Sequence, residues 1–315
     1  MSESMHEIRS VLAASDLSGG SDTVVSAAAT LASSAGARLH VLHVVGLTAA
    51  GPSLGLTPRT DAAIYEEQRT RAERLLSAQL ERCVEPGQEA LPAVIEGTGA
   101  PRAICDHAET VHADVIVIGP HGKGEAGPEL LGTTADAVLR SAPAPVLVVR
   151  AGLTMPPLRV LVPSDPAEPV AGIMEVALGW ARAFAPPADG TPVSVEVVHV
   201  LLDPMGGRKP FDRAMVMPGD NPEIDAARER ARGIDVRELV LFGDRVEETI
   251  LGYARETRPD LLVAASHGYG LIKRALLGGT SSVLARRAPC SVLLVPPALW
   301  SESAGTGRHP GVHEG

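Results

Sequence analysis

The chain has 315 residues, about twice the length of a typical domain, and 45% of them are hydrophobic, which suffices for two buried cores. Its net charge of −10, from 28 basic and 38 acidic side chains, opposes the binding of phosphate backbones. Two Trp, three Tyr and three Phe are too few for a base-stacking surface, so we expect two globular domains and no nucleic acid partner.

From the N-terminus onward, short β-branched runs alternate with longer Ala-rich segments, which is typical of a parallel sheet with helices on both faces. In the first half we predict strands near residues 8–14, 38–45, 91–95, 114–118 and 145–149. We predict helices at 21–35, which begins with a Ser/Asp cap, at 61–82, at 100–111, with Pro101 in its first position, and at 133–141.

The second half repeats the first. Residues 114–122, DVIVIGPHG, match residues 260–268, DLLVAASHG, and APAPVLVV (142–149) matches APCSVLLV (288–295), with both pairs 146 positions apart. Each half is therefore predicted to be an α/β domain with an open, Rossmann-like, parallel five-stranded sheet. The predicted domains span residues 1–150 and 158–297, with the segment RAGLTMPPL (150–158) as linker and a flexible tail at 298–315.

The last strand of each half is apolar, at residues 145–149 and 291–295. An unpaired apolar edge strand favours pairing with another strand. We therefore expect the two halves to join through these strands as an internal pseudo-dimer, and the sequence leaves a homodimer of the whole chain open.

The loop after the fourth strand carries the strongest candidate for a ligand site, because ligands of open α/β sheets lie beyond the carboxyl ends of the strands. It reads Gly119-Pro-His121-Gly122, then nine residues, then Gly132-Thr133 at a helix start. Glycines let the backbone approach an anion closely, and the free N–H groups of a helix start bind phosphate. The alternative is an ordinary loop with turn glycines and a threonine cap.

Three further patterns imitate known motifs. Gly122–Gly127 has the GxGxxG spacing of a dinucleotide fingerprint, but Gly122 follows the strand by four residues and Pro128 comes directly after the pattern. Ser18–Asp22 is close to the SGGxDS phosphate loop of ATP pyrophosphatases, and Gly51–Gly55 imitates the GxSxG nucleophile elbow. The surrounding sequence favours ordinary turns in all three cases.

The repeated unit resembles a universal stress protein domain over residues 8–149 and 158–296. The family's motif is Gly-2x-Gly-9x-Gly-Ser/Thr, and the first half matches it in full. The resemblance implies an adenine nucleotide alpha hydrolase-like fold that binds ATP, with or without Mg²⁺. The glycines and the hydroxyl would contact phosphates and ribose, and the ends of the first two strands would contact adenine. The implied residues of the first half are Ala14, Asp16, Val44, Gly119, His121, Gly122, Gly132, Thr133 and Thr134.

The second half departs from this motif, because Ala265 stands in place of the first glycine and Gly279 in place of the hydroxyl residue. A Cβ at position 265 would hinder approach of the backbone to a phosphate, and the missing hydroxyl removes a contact. We expect a weaker or degenerate second site. Its implied residues are Pro163, Asp165, Val200, Gly268, Gly278 and Thr280.

Neither a metal site nor a membrane span is expected. Three cysteines form no CxxC pair, and the histidines form no HExxH motif. No apolar run reaches the roughly 18 residues of a spanning helix, and the start MSESMHEIRS lacks the order of a signal peptide. We expect a cytoplasmic protein.

The resemblance implies an ATP-binding regulator of the stress response that is not an enzyme, with nucleotide held mainly in the first half. No general base is paired with a nucleophile in the sequence motifs, which favours this interpretation. One alternative is an ATP-using enzyme, either a slow ATPase or an adenylating enzyme acting through Ser18–Asp22. Another is a scaffold that binds no nucleotide. The sequence does not identify the protein partner.

Overall fold

A computed structural model gives the fold for most of the chain. It describes residues 8–46, 58–97, 99–122, 131–150, 158–165, 170–183, 192–202, 215–216, 221–231, 233–266 and 279–296. The predicted tail at 298–315 and most of the predicted linker at 150–158 lie outside these residues. No helix among the described residues has the length and apolar character needed to cross a membrane.

Strands and helices alternate in both halves. The first half consists of β1 (Ser10–Ala14), α1 (Gly19–Ala35), β2 (Arg38–Gly46), α2 (Pro58–Cys83), β3 (Ala90–Gly97), α3 (Ala100–Thr110), β4 (Val115–Ile118), α4 (Thr133–Ser141) and β5 (Val146–Val148). The second half consists of β6 (Arg159–Ser164), α5 (Ala171–Ala183), β7 (Val193–Leu202), β8 (Met215–Val216), α6 (Pro222–Arg230), β9 (Ile234–Gly243), α7 (Val246–Thr257), β10 (Leu261–Ala265), α8 (Gly279–Arg287) and β11 (Ser291–Val295).

All eleven strands form one sheet in the order β3-β2-β1-β4-β5-β11-β10-β6-β7-β9-β8. Within each half the five main strands are parallel, and the two-residue β8 adds an antiparallel pair beside β9. The predicted Rossmann-like α/β class is confirmed. The sequence analysis did not foresee β8, whose two residues are too short for a recognisable alternating pattern.

The sheet is covered on both faces, and β4 shows how. All four of its residues are buried, as its uninterrupted apolar sequence indicates. Val115 and Val117 belong to the core on one face together with residues of α1. Ile116 and Ile118 belong to the core on the other face, with residues of α3 and α4.

The two halves meet where β5 and β11 pair in antiparallel register, with Leu147 opposite Leu293. The predicted pairing of the fifth strands is confirmed. Both strands are buried throughout. Directly after β5, the backbone N–H of Arg150 donates to Ser291 Oγ at 2.9 Å. Farther out, Arg286 of α8 forms a 2.8 Å ion pair with Asp136 of α4.

One predicted helix start was wrong, and in a second helix, whose start at residue 100 is confirmed, the position of a proline was wrong by one residue. The Ser21–Asp22 cap was misplaced, because α1 begins at Gly19 and Ser18 occupies the cap position without a capping hydrogen bond from its side chain. Its hydroxyl donates to Asp16 Oδ1 instead, at 2.6 Å. Pro101 lies in the second position of α3, after Ala100. It still fits there, because N–H groups of the first turn have no acceptor within the helix.

We expect residues 1–157 and 158–315, produced as separate chains, to associate through β5 and β11. Their pairing buries main-chain groups that would otherwise be unpaired in apolar surroundings. Sedimentation velocity measures the complex. Leu293→Lys in the second half should abolish association, whereas Leu202→Lys, at a position that is 61% exposed, should not. Separate halves that fold but remain monomeric would contradict the expectation.

Candidate functional site

A cavity of about 370 Å³ lies at the carboxyl ends of β1, β2 and β4. All nine residues proposed for the first half lie in its wall, so the structure brings the motif residues together. Whether they bind a ligand remains a prediction. The wall consists of Ala14, Ser15, Asp16, Ser21, Val24, Leu42, His43, Val44, Ala100, Ile104, Ile118, Gly119, Pro120, His121, Gly122, Gly132, Thr133, Thr134 and Ala135.

The turn after β1 forms the first side of the cavity. Leu17 has a φ of 61°, a left-handed conformation that is uncommon for a residue with a branched side chain. Two hydrogen bonds hold the turn: Ser18 N–H donates to Asp16 Oδ1 at 3.0 Å, and Leu17 N–H donates to Ser15 Oγ at 3.0 Å. The turn therefore fixes the carboxylate of Asp16 at the cavity wall.

A buried polar network lies behind this turn. Gln79 of α2 is 1% exposed, and its Oε1 accepts from Ser15 Oγ at 2.6 Å. Its Nε2 donates to Ser21 Oγ at 3.1 Å and to Asp22 Oδ1 at 2.6 Å. The polar side chains of the SGGxDS-like segment are thus engaged within the protein: Ser18 with Asp16, and Ser21 and Asp22 with Gln79. The sequence analysis missed Gln79, because it lies 58 positions from Ser21 and belongs to no motif.

The three motif glycines allow the loop after β4 to pack closely on its surroundings. A Cβ at Gly119 would lie 3.3 Å from both His121 O and Val24 Cγ2, and one at Gly122 would lie 3.2 Å from Asp16 Oδ2. Gly132 N–H donates to Pro120 O at 2.7 Å, which ties the end of the loop to its beginning. The sequence analysis assigned these glycines to ligand approach. The structure adds that a side chain at Gly119 or Gly122 would crowd the loop against Val24, Asp16 and its own backbone.

Helix α4 begins at the cavity. Gly132 occupies its cap position with φ −63° and ψ 154°, and no side chain caps the helix. The first N–H groups of a helix have no acceptor within it, and its N-terminus carries a partial positive charge. The exposed hydroxyl residues Thr133 and Thr134 lie beside them. Together these groups form a set of donors suited to phosphate oxygens.

The opposite side of the cavity is mostly apolar, as an adenine ring would require. Val44, Ile104 and Ile118 contribute aliphatic side chains. His43 Nδ1 lies 2.8 Å from Ser15 O and so connects β2 to the end of β1. The sequence analysis did not single out Ile104. The amphipathic pattern of α3 could have indicated its inward face, but not its proximity to β2.

His121 lies in the cavity wall, in surroundings that disfavour a positive charge on its ring. Neither ring nitrogen has a hydrogen-bond partner among the described residues, and both are buried. Burial, followed by the positive charge of Arg150, lowers the pKa of His121. The Arg150 guanidinium is held by the carbonyl oxygens of Ala285 and Arg286, at the C-terminal end of α8. The second half thus positions a cation near the first half's cavity.

The corresponding region of the second half is only partly described. Gly268 and Gly278 lie outside the described residues. In the first half, the same is true of most of the GxGxxG-like segment Gly122–Gly127 and of all of Gly51–Gly55. Pro163, Asp165 and Val200 lie at or just beyond the ends of β6 and β7, where Asp165 is exposed.

Two contacts occupy the start of α8. Thr280 Oγ1 donates to Glu247 Oε1 at 3.1 Å, and Ser281 Oγ donates to Ala265 O at 2.6 Å. Both hydroxyls are therefore engaged, and a carboxylate lies beside Thr280, the counterpart of Thr134 in the first half.

The second half also contains a buried contact between a histidine and a glutamate. His199 Nδ1 lies 3.2 Å from Ser164 O, repeating the contact of His43 with Ser15. Its Nε2 lies 2.9 Å from Glu238 Oε1, and both side chains are more than nine-tenths buried. The strand-end geometry is thus conserved between the halves, whereas the charges around it differ. Among the described residues, no group of three or more His, Cys, Asp or Glu side chains is arranged to hold a metal.

Comparisons with known proteins agree with the repeat. The model of the universal stress protein family matches residues 7–150 and 159–296. A universal stress protein of Mycolicibacterium smegmatis is 26% identical over 307 residues, which cover 91% of this chain and 97% of that protein. A universal stress protein structure from Archaeoglobus fulgidus has a TM-score of 0.63 at 20% identity, covering 92% of this chain and 97% of its own. A Pseudomonas aeruginosa protein of unknown function has a TM-score of 0.56 at 16% identity, covering 97% and 100%.

We expect one strong nucleotide site, in the first half. Gly119→Ala with Thr133→Gly should abolish it, because the added Cβ displaces His121 and the lost hydroxyl removes a donor. A hydrogen bond to a charged group is worth about 1.5 to 3 kcal/mol, or about ten- to a hundredfold in affinity. Calorimetric titration with ATP measures both the number of sites and the affinity.

Gly179→Ala is the matched control, because a Cβ there meets no atom within 4 Å. Ala265→Gly with Gly279→Ser should strengthen binding in the second half, and adding Glu247→Gln should strengthen it further by removing the carboxylate beside Thr280. Two equal sites in the unmodified protein, or unchanged affinity after the first pair of substitutions, would refute this asymmetry.

Proposed function

The chain belongs to the universal stress protein family, and we propose that its first half binds ATP and that nucleotide occupancy, without catalysis, is how it regulates the response to stress. One observation carries the proposal: residues from three strand ends and a helix start, far apart in sequence, line one cavity. Its volume of about 370 Å³ lies in the range of pockets that bind small molecules.

The two ends of the cavity match the two ends of a nucleotide. The start of α4 offers backbone donors and the hydroxyls of Thr133 and Thr134 for phosphate oxygens. The aliphatic side chains of Val44 and Ile104 suit the flat apolar faces of adenine. Asp16 follows β1, which lies between β2 and β4 in the sheet, and its carboxylate is suited to accept hydrogen bonds from the ribose hydroxyls. Mg²⁺ can accompany the phosphates, as is common for nucleoside triphosphates.

The side chains in the cavity favour binding over turnover. Its titratable groups among the described residues are Asp16, His43 and His121. Asp16 Oδ1 accepts two hydrogen bonds from Ser18, and His43 Nδ1 contacts Ser15 O. Among the described residues no carboxylate bonds to the His121 ring, and efficient general-base catalysis usually requires a base held in position.

The contacts of the SGGxDS-like segment give less support to the adenylating alternative than its sequence does. An SGGxDS loop must present its serine and aspartate to the phosphates of ATP. Here the side chains of Ser21 and Asp22 bond to Gln79, and Arg82 binds Asp22 from the outside. The scaffold alternative predicts an empty cavity in cells, which the following experiment tests.

We expect ATP or another adenine nucleotide to copurify with the protein and to be hydrolysed only marginally. Mass spectrometry of the denatured, freshly purified protein identifies the ligand, and the Gly119→Ala/Thr133→Gly variant is the control that should carry none. Turnover of labelled ATP should remain far below the enzymatic scale of about 1 s⁻¹. Hydrolysis at that rate would identify an ATPase, and a protein that neither carries nor binds nucleotide would favour the scaffold.

A further inference from the structure

Both ring nitrogens of His121 are buried at a cavity wall, and neither has a hydrogen-bond partner among the described residues. Buried polar groups in proteins are almost always hydrogen-bonded, and each exception needs an explanation. His121 lies between the motif glycines Gly119 and Gly122, and its backbone is packed against Gly119 and Gly132. The loop thus fixes the ring at the wall, where a ligand can supply the missing partners.

Among the described residues, the cavity wall holds two titratable side chains besides His121: Asp16, which follows β1, and His43 on β2. Arg150, which follows β5, supplies a positive charge nearby. Helices α3 and α4 contribute no titratable side chain to the described wall, only Ala100, Ile104, Thr133, Thr134 and Ala135. Burial, followed by the charge of Arg150, opposes a positive charge on the ring and lowers the pKa of His121.

Arg150 cannot easily withdraw from this arrangement. Its guanidinium donates to two carbonyl oxygens at the end of α8, and its backbone N–H donates to Ser291. The cation is therefore held in place where the first half contacts the second. This environment favours the neutral imidazole, and an anion placed beside the ring would reverse that preference.

We propose that His121 sets the charge selectivity of the cavity: it takes up a proton when an anionic ligand enters, so that nucleotides are preferred over uncharged nucleosides and are held more tightly as the pH falls. This inference rests on the proposed nucleotide site. It assigns His121 a specific role there, as the group that couples occupancy to pH.

The direction of this pH dependence follows from the thermodynamic linkage between ligand binding and protonation of His121. A ligand that raises the pKa of a group binds more tightly wherever the complex is protonated and the free protein is not. If a phosphate raises the pKa of His121 by about one unit, affinity increases about tenfold as the pH falls through the two values. Adenosine carries no charge, so its affinity should stay level or fall over the same range.

The experiment measures ATP and adenosine affinity of the full-length protein by calorimetry between pH 8 and pH 5.5, at fixed ionic strength. His121→Gln keeps hydrogen-bonding capacity but cannot take up a proton, and the exposed His112→Asn is the control outside the cavity. The phosphates of ATP also titrate in this range, but they do so equally for every variant. The difference between the wild-type and His121→Gln profiles therefore isolates the protein group.

We expect the wild-type and His112→Asn proteins to gain about tenfold more affinity for ATP at acid pH than His121→Gln does, with no such difference for adenosine. NMR titration of the His121 ring in the wild-type protein gives the same answer without a variant: ATP should raise its pKa by about one unit. Equal ATP profiles for wild type and His121→Gln, or a ring pKa unmoved by ATP, would overturn this inference alone. No binding of ATP at any pH would overturn the proposed function and this inference together.

Discussion

Main-chain hydrogen bonds between β5 and β11 join two strands that would otherwise be sheet edges. Their side chains are buried on both faces, so unpaired N–H and C=O groups there would lie in apolar surroundings, at about 1 to 3 kcal/mol each. Pairing removes that cost and makes one eleven-stranded sheet of two five-stranded units plus β8. Arg150 follows β5 directly, so the pairing that joins the halves also positions the cation beside the first cavity.

The two halves share the arrangement of their five main strands and differ in charge at corresponding positions. In each, a histidine on the second strand contacts the carbonyl oxygen of a serine at the end of the first strand. When residues of the two halves that are 146 positions apart are compared, the second half has two carboxylates and lacks one cation relative to the first half. Pro92, Pro101 and Arg150 of the first half correspond to Glu238, Glu247 and Pro296 of the second. These changes disfavour an anionic ligand in the second half, independently of the glycine motif.

Local patterns predicted the alternation of strands and helices and the motif from Gly119 to Thr133, whereas Ala14, Asp16 and Val44 of the cavity wall came from the family resemblance. The motif from Gly119 to Thr133 is contiguous, and parallel strand ends meet at one edge by topology. Gln79, Ile104 and Glu247 were missed for the opposite reason, since each reaches the site through tertiary packing between distant segments. The start of α1 was misplaced because Ser18 bonds to Asp16, a choice that depends on the turn geometry at Leu17.

The antiparallel direction of the β5–β11 pair has a geometric consequence for the whole molecule. All main strands of a half run parallel to its fifth strand, so the strands of the two halves run in opposite directions. The carboxyl ends of β4 and β10 therefore lie at opposite rims of the sheet. Duplication of the domain has thus placed the two sets of strand ends on different sides of the molecule. Sequence change at one rim can then proceed without altering the other, which leaves the two copies of the domain free to specialise.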